Sequence, residues 1–348
     1  MRRTAVSLVV LLLAAAAAAP APAPERTRAP RKTPRLGLDA ELPASATDEE
    51  RDRAARQVRE SGVSLYALSV FWPDAEPSPG QYRLDPVLRA ARVLRQSGAT
   101  IHLDLPLVSP GRRGVASDLA ATAFDDPKLS LRLGRLLDAL EPALLDASTL
   151  SLGEAADAYF AGRPDELKAF RRLYSGAVEF LAKKAPHLKV GVTTASPGES
   201  PAPEIASLLQ VGGGVVLYAY APFDRAQPYV HRPPDAIARD WKNLVAGAGG
   251  RPIAFPEVSY SSAPENGSSP QRQAEFVRRF RQTLAAADGD AILFARWVSW
   301  RDGPPPAAPA GTGPAAAIAA RRAAFLARRG LQTARGEPKP AWKEWLRP

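Results

Sequence analysis

The chain of 348 residues contains no cysteine, one methionine and three histidines. Without cysteine there are no disulfides, no thiolate metal site and no bacterial-type lipid anchor, so stability has to come from the core alone. His102, His187 and His231 stand far apart and show none of the close spacings of a metal motif, which argues against a histidine-rich zinc site. A Gly-x-Gly-x-x-Gly phosphate loop is also missing from LGLDAELPAS, where a dinucleotide-binding sheet would carry it. Gly212 to Gly214 is a triple glycine, but it precedes a strand and reads as a turn. Neither a metal nor an organic cofactor is expected.

The formal net charge is +10, with Lys and Arg totalling 46 against 36 Asp and Glu. The arginines are spread along helical stretches with acidic residues between them. A nucleic-acid binder would concentrate its charge in a patch or a reading module, so no nucleic-acid partner is expected. The one long apolar run is MRRTAVSLVVLLLAAAAAA at the start. Two arginines, an apolar stretch and a run of alanines fit a signal peptide over residues 1–21, cleaved near Ala19 or Ala21. Alanine is too weakly hydrophobic for a stable transmembrane anchor. Cleavage would remove Arg2 and Arg3, taking the charge from +10 to +8. The expectation is a secreted or periplasmic monomer. Residues 22–34 are Pro-, Ala- and Arg-rich with nothing to bury, and read as a disordered linker.

From Arg35 on, short apolar strands alternate with amphipathic stretches. RLGLDA, VSLYALSVFW, ATIHLDLPLV, TLSLG, LKVGVTTA, GVVLYAYAP, PIAFPEVSY and AILFARWVSW are eight strands, most followed by a helical stretch. Near-continuous apolar strands in that rhythm predict an α/β fold, a single (β/α)8 TIM barrel over residues 35–348. A doubly wound sheet is the runner-up.

A barrel of this kind does its chemistry at the C-terminal ends of its strands. There the sequence places Asp39, Trp72, Asp104, Glu154, Asp157, Tyr218, Tyr220, Glu257, Tyr260, Trp297 and Trp300. An acidic residue at the exit of a buried strand is costly unless something uses it. Glu154 and Glu257, at the fourth and seventh exits, suggest the carboxylate pair that cleaves glycosidic bonds. The remaining residues suit sugar binding, the rings stacking on sugar faces and the carboxylates accepting from hydroxyls. A carbohydrate is the expected ligand.

Several stretches resemble the large retaining (β/α)8 glycoside hydrolase superfamily of cellulases, xylanases and endo-galactanases. FWPDAEPSPGQYRLDPVLRAARVLRQSGATIHLDL is similar to its second strand, loop, helix and third strand. SLGEAADAYF resembles the fourth-strand Gly-Asn-Glu-x-Asp signature, PIAFPEVSYSS the seventh strand, AILFARWVSWRDG the eighth and GEPKPAW the closing helix. The resemblance implies Glu257 as nucleophile. It also puts Glu154 on the family's asparagine, Ala155 on its catalytic acid, Asp157 on its aspartate and Ser259 on its glycine. Either a bulge at Gly153 re-aims Glu154 as proton donor, or the barrel binds sugar without cleaving it. Losing a positioned general acid costs roughly 100- to 10,000-fold.

Overall fold

The alternation of aliphatic runs with amphipathic stretches is what the backbone follows. The computed structural model describes residues 32–39, 47–198, 205, 208, 211, 214–304 and 312–347. The expected signal segment and the linker up to residue 31 lie outside the described residues, as does Glu41. Residues 32–34 of the expected linker are among the described residues. The Lys32 carbonyl accepts from Gly289 N at 2.9 Å, and its Nζ meets Asp290 Oδ1 at 2.9 Å.

The strands are β1 (Arg35–Leu38), β2 (Leu65–Ser69), β3 (Thr100–Asp104), β4 (Thr149–Ser151), β5 in two pieces (Lys189–Gly191 and Thr193–Ser196), β6 (Val216–Tyr220), β7 (Ile253–Val258) and β8 (Ile292–Trp297). All pair in parallel, each with its neighbours in chain order, and β8 returns to β1. Closure depends on β5. Its first piece pairs with β4 through Thr149↔Lys189 and Ser151↔Gly191, its second with β6 through Thr193↔Leu217 and Ser196↔Tyr220. The helices are α1 (Asp48–Glu60), α2 (Trp72–Ala75), α3 (Asp85–Gln96), α4 (Pro127–Ala139), α5 (Glu141–Asp146), α6 (Ala156–Phe160), α7 (Pro164–Lys184), α8 (Ala236–Gly247), α9 (Pro270–Ala286), α10 (Pro314–Ala327) and α11 (Pro340–Leu346). Helix α4 ends at Ala139 because Pro142 has no N–H to continue the ladder, and the helix restarts at Glu141. Among the described residues no helix is long and apolar enough to cross a membrane.

Side chains alternate across each strand, so the sheet feeds two cores. A small one fills the barrel: Leu65, Val215, Leu217, Ala254 and Phe294. The larger lies between strands and helices, and takes Leu36, Leu38, Ile101, Leu103, Val216, Tyr218, Tyr220, Phe255 and Trp297 from the strands. Two buried polar clasps hold the mouth-side loops. Glu76 accepts from Trp72 Nε1 at 2.7 Å and Gly80 N at 2.6 Å, and pairs with Arg132 at 2.9 Å. Lys339, just before α11, pairs with Asp302 beyond β8 at 3.0 Å and donates to the Gly330 carbonyl at 2.7 Å. Burial lowers the Lys339 ammonium and raises Asp302, each partly offset by the other's charge.

Removing one partner of a buried pair strands the other charge, at about 3–5 kcal/mol. Lys339→Met is therefore expected to lower the unfolding free energy by about that much in urea titration. Adding Asp302→Asn should recover part of the loss. An unchanged midpoint in Lys339→Met would show the clasp to be idle.

Candidate functional site

Parallel pairing places partnered residues on the same face, so the register identifies what looks into the barrel. Gly37 pairs with Leu65 and with Arg296, Ala67 with His102, Ser69 with Asp104, and Asp104 with Ser151. These residues share the inner row with Leu217 and Ala254 of the interior core. Plain alternation from Ala254 would turn Pro256 inward and Glu257 out. The register shifts between Ala254 and Glu257, so that Ala254 pairs with Leu217 and Glu257 with Ala219. That bulge, at Phe255–Pro256, puts Glu257 on the inner row. Proline suits a bulge because it has no N–H to give the ladder.

Arg296 holds the bulge. Its Nε donates to the Pro256 carbonyl at 2.7 Å, and one terminal nitrogen lies 3.8 Å from Asp39 Oδ2. Its stem runs beside Gly37, where an added Cβ would lie 3.0 Å from Arg296 Cβ and 2.7 Å from Leu65 Cδ2. A side chain at position 37 would push the guanidinium off its place.

Burial raises the Glu257 carboxyl, the Arg329 and Arg296 charges pull it down, and Glu154 and Asp104 push it up; the net shift is upward. For Asp104, burial also acts upward, but the charge and hydrogen bond of His102, with Arg296, outweigh it and the carboxyl titrates low. His102 is fully buried, with Nε2 3.1 Å from Asp104 Oδ1 and Nδ1 2.8 Å from Thr149 Oγ1. Asp39, Asp104, Glu154 and Glu257 thus gather around the mouth with Arg296 and Arg329. Small inner-row residues, Ser69, Ala195 and Ala219, leave the space above them open.

At the β4 exit the regular pairing ends at Ser151, two residues before Gly153. Ala155 takes the left-handed conformation (φ 41°, ψ 50°) and starts α6. Glu154 is exposed, and its Oε2 accepts from Ser109 Oγ at 3.0 Å, on a small hairpin (Val108–Ser109 with Arg112–Arg113) at the rim. Asp157 lies in α6, where burial raises its carboxyl, and its Oδ1 accepts from Ala195 N at 2.7 Å. It ties α6 to β5.

The six aromatic residues expected to stack on sugar are not at the mouth. Trp72, Trp297, Trp300 and Tyr260 have no exposure, Tyr220 has 1% and Tyr218 3%. On β6, Tyr218 and Tyr220 share a parity with Val216, and that parity faces the helices. On β8, Arg296 and Trp297 are adjacent, so only one can look inward, and the arginine does. Trp297 packs instead against Trp345 and Phe280 and donates to the Arg329 carbonyl at 3.2 Å. Tyr220 donates to Asp240 on α8 at 2.8 Å, and Tyr260 stacks on His231. Trp72 belongs to the Glu76 clasp, and Trp300 packs on Trp342. Arg296 stands at the eighth exit in the sequence, though without a role there, and sequence reasoning missed His102, Ser109 and Arg329 as site residues. Alternation from Phe294 turns Arg296 inward, and alternation from Asp104 would have found His102. Nothing local marks Arg329, which arrives from beyond α10.

No protein-family model and no curated protein matches the sequence. Solved structures do resemble the fold. A GH5_18 protein from Streptomyces cattleya, in complex with GlcNAc, superposes with TM-score 0.67 at 15% identity, covering 91% of this chain and 79% of that one. An exo-beta-1,4-mannosidase from Opitutaceae bacterium strain TAV5 gives TM-score 0.62 at 15% identity, covering 92% and 60%. The intracellular xylanase of Thermoanaerobacterium saccharolyticum gives 0.60 at 12% identity, covering 90% and 95%. The chain has the (β/α)8 fold of these glycoside hydrolases.

Two outcomes follow from the burial of these groups. Glu257 has a raised carboxyl in the folded state, so the stability its proton supplies is complete below the unfolded value and is lost as pH rises through the folded one. Glu257→Gln should therefore melt higher than the parent at pH 8, with the gap closing toward pH 4 in scanning fluorimetry. A gap that widens on acidification would contradict this. Trp297→Ala should cost about 3–5 kcal/mol of stability, as a large core truncation does, and a fold of unchanged stability would put the ring outside the core.

Proposed function

We propose that this barrel acts on a β-linked polysaccharide or oligosaccharide as a glycoside hydrolase, with Glu257 at the centre of the chemistry. The observation that carries the reading is the β7 bulge. It spends regular pairing to turn one carboxyl into the open end of the barrel, beside Arg296 and Arg329 and within electrostatic reach of Glu154 and Asp104. A partly buried, raised carboxyl that makes no hydrogen bond among the described residues is what acid–base or nucleophilic work on a glycoside needs.

With Glu154 as partner the reaction is retaining. Glu257 attacks the anomeric carbon while Glu154 protonates the leaving oxygen and later activates water, with the carboxyls about 5 to 5.5 Å apart. That arrangement requires Glu154 to turn in from Ser109. Sugar binding without turnover is the second reading, and the methyl group of Ala155 where the resembling family keeps its acid is what favours it. The polar mouth, with no exposed ring among the six residues expected to stack, points to recognition by hydrogen bonds to hydroxyls. Export to the periplasm or the exterior completes the proposal, on the strength of residues 1–21.

Glu257→Gln is expected to lower turnover of 4-nitrophenyl β-glycosides by at least 100-fold, with its melting point kept or raised. Turnover that survives this substitution would remove Glu257 from the chemistry. Retained affinity for an oligosaccharide without turnover in the parent protein would favour the binding reading.

A further inference from the structure

The turn between α9 and β8 lies at the end of the barrel away from the mouth, and the chain crosses it on the way into β1. Gly289 N donates to the Lys32 carbonyl at 2.9 Å, and Lys32 Nζ meets Asp290 Oδ1 at 2.9 Å. A Cβ added to Gly289 would lie 2.6 Å from the Lys32 carbonyl oxygen, so a side chain there would push the two segments apart. Two grooves flank α9. Thr33, Pro34 and Leu36 line one of them, together with Ala285. The other, of about 560 Å³, runs between α8 and α9 on the outer wall. Its floor is largely apolar, from Ile237, Trp241 and Val245 of α8, Thr283 and Ala286 of α9 and Ile292 of β8. Phe255 braces the Trp241 ring from behind, 4.2 Å between centroids. Asp288 stands at the near end and Asp235 at the far end. Lys242 and Arg279 also border the groove, the second of them taken up by Glu275 at 2.9 Å. The described chain thus comes from the first groove and stops on the turn, at the edge of the second.

We infer that the groove between α8 and α9 is the seat of residues 26–31 of this same chain, RTRAPR, laid along it as an extended strap. The anchor at Lys32 sets where the strap begins, because Arg31 comes next to the turn that carries Asp288. Length agrees. From Val245 to Asp235 the helix rises about 15 Å, which about five residues of polyproline-type chain cover at about 3.1 Å each. Chemistry agrees too. Ala29 and Pro30 are small and apolar, the residue before a proline is held extended, and proline brings no N–H to an apolar floor. Extended proline-containing segments settle in aromatic-floored grooves because little conformational entropy is lost. Arg31 or Arg28 then meets Asp288, and Arg26 reaches Asp235. The tether at Lys32 keeps this segment at high local concentration, which favours it over the same segment of a second copy. Such a strap replaces, over six residues, the disordered linker that composition suggests. It covers the wall behind β7 and leaves the mouth clear, so it stands apart from the hydrolase reading.

The chain has no cysteine, so an introduced pair reports one proximity without background. Ala285 and Ala286 are exposed neighbours on α9, the first lining the groove beside Thr33 and the second the proposed seat. About 10 Å of chain separates residue 29 from Lys32, enough for either. In the full chain, under a glutathione redox buffer, Ala29→Cys with Ala286→Cys should close its disulfide about tenfold faster than Ala29→Cys with Ala285→Cys. Equal rates, or faster closure at 285, overturn the inference, and so does a disulfide between two copies. Trypsin supplies a reading that needs no cysteine. Cleavage after Arg28, followed by mass spectrometry, should be about tenfold slower in the parent than in Ala238→Arg, which fills the groove with a cation. Equal cleavage in the two proteins overturns the inference as well.

Discussion

The guanidinium of Arg296 governs the open end of this barrel. It fills the inner row of β8, accepts the company of Asp39 and holds the carbonyl that the β7 bulge turns inward. Four carboxylates around one mouth would repel one another strongly in a partly buried setting. Arg296 and Arg329 make the arrangement tolerable, and the bulge would have no anchor for its carbonyl without the first of them. Gly37 belongs to the same constraint, because only a residue without a side chain leaves room for the arginine stem. The site is thus a balance of charge built on a defect in the sheet.

How far the sequence could be read depended on the scale of the signal. The order of eight strands was legible because each buried strand is an apolar run between amphipathic helices. The facing of individual side chains was not, and the expected aromatic lining failed for that reason. Trp297 and Arg296 are neighbours, so one residue of phase decides which of them meets a ligand. At β7 the phase itself is broken by an extra residue, which no pattern of polar and apolar letters announces. Glu257 was therefore correctly placed at an exit, while the device that aims it was invisible. At β4 the backbone feature beside Glu154 is a left-handed Ala155, which the letters do not announce either.

The motifs that carried the resemblance turn out to be largely architectural. Within WPDAEPSPG, Glu76 spends its carboxylate on Trp72, Gly80 and Arg132 and does not reach the mouth. Within GEPKPAW, Lys339 is buried on Asp302 and two carbonyls. Polar residues in such loops look functional in a linear reading because burial cannot be seen there. Their physical role is to satisfy backbone groups where long loops leave the barrel. Shared loop motifs of this kind report a common scaffold before they report common chemistry.

All six tryptophans, at positions 72, 241, 297, 300, 342 and 345, are buried at 6% exposure or less, and Trp72, Trp297 and Trp300 lie in the layer behind the strands. Their indoles are shielded from water while the chain is folded. Intrinsic fluorescence of this protein is consequently a blue-shifted reporter of the shell between strands and helices. It will follow denaturation faithfully and remain nearly blind to whatever enters the mouth, so an optical titration of ligand needs a dye placed on the rim, at the hairpin beside Glu154 for example.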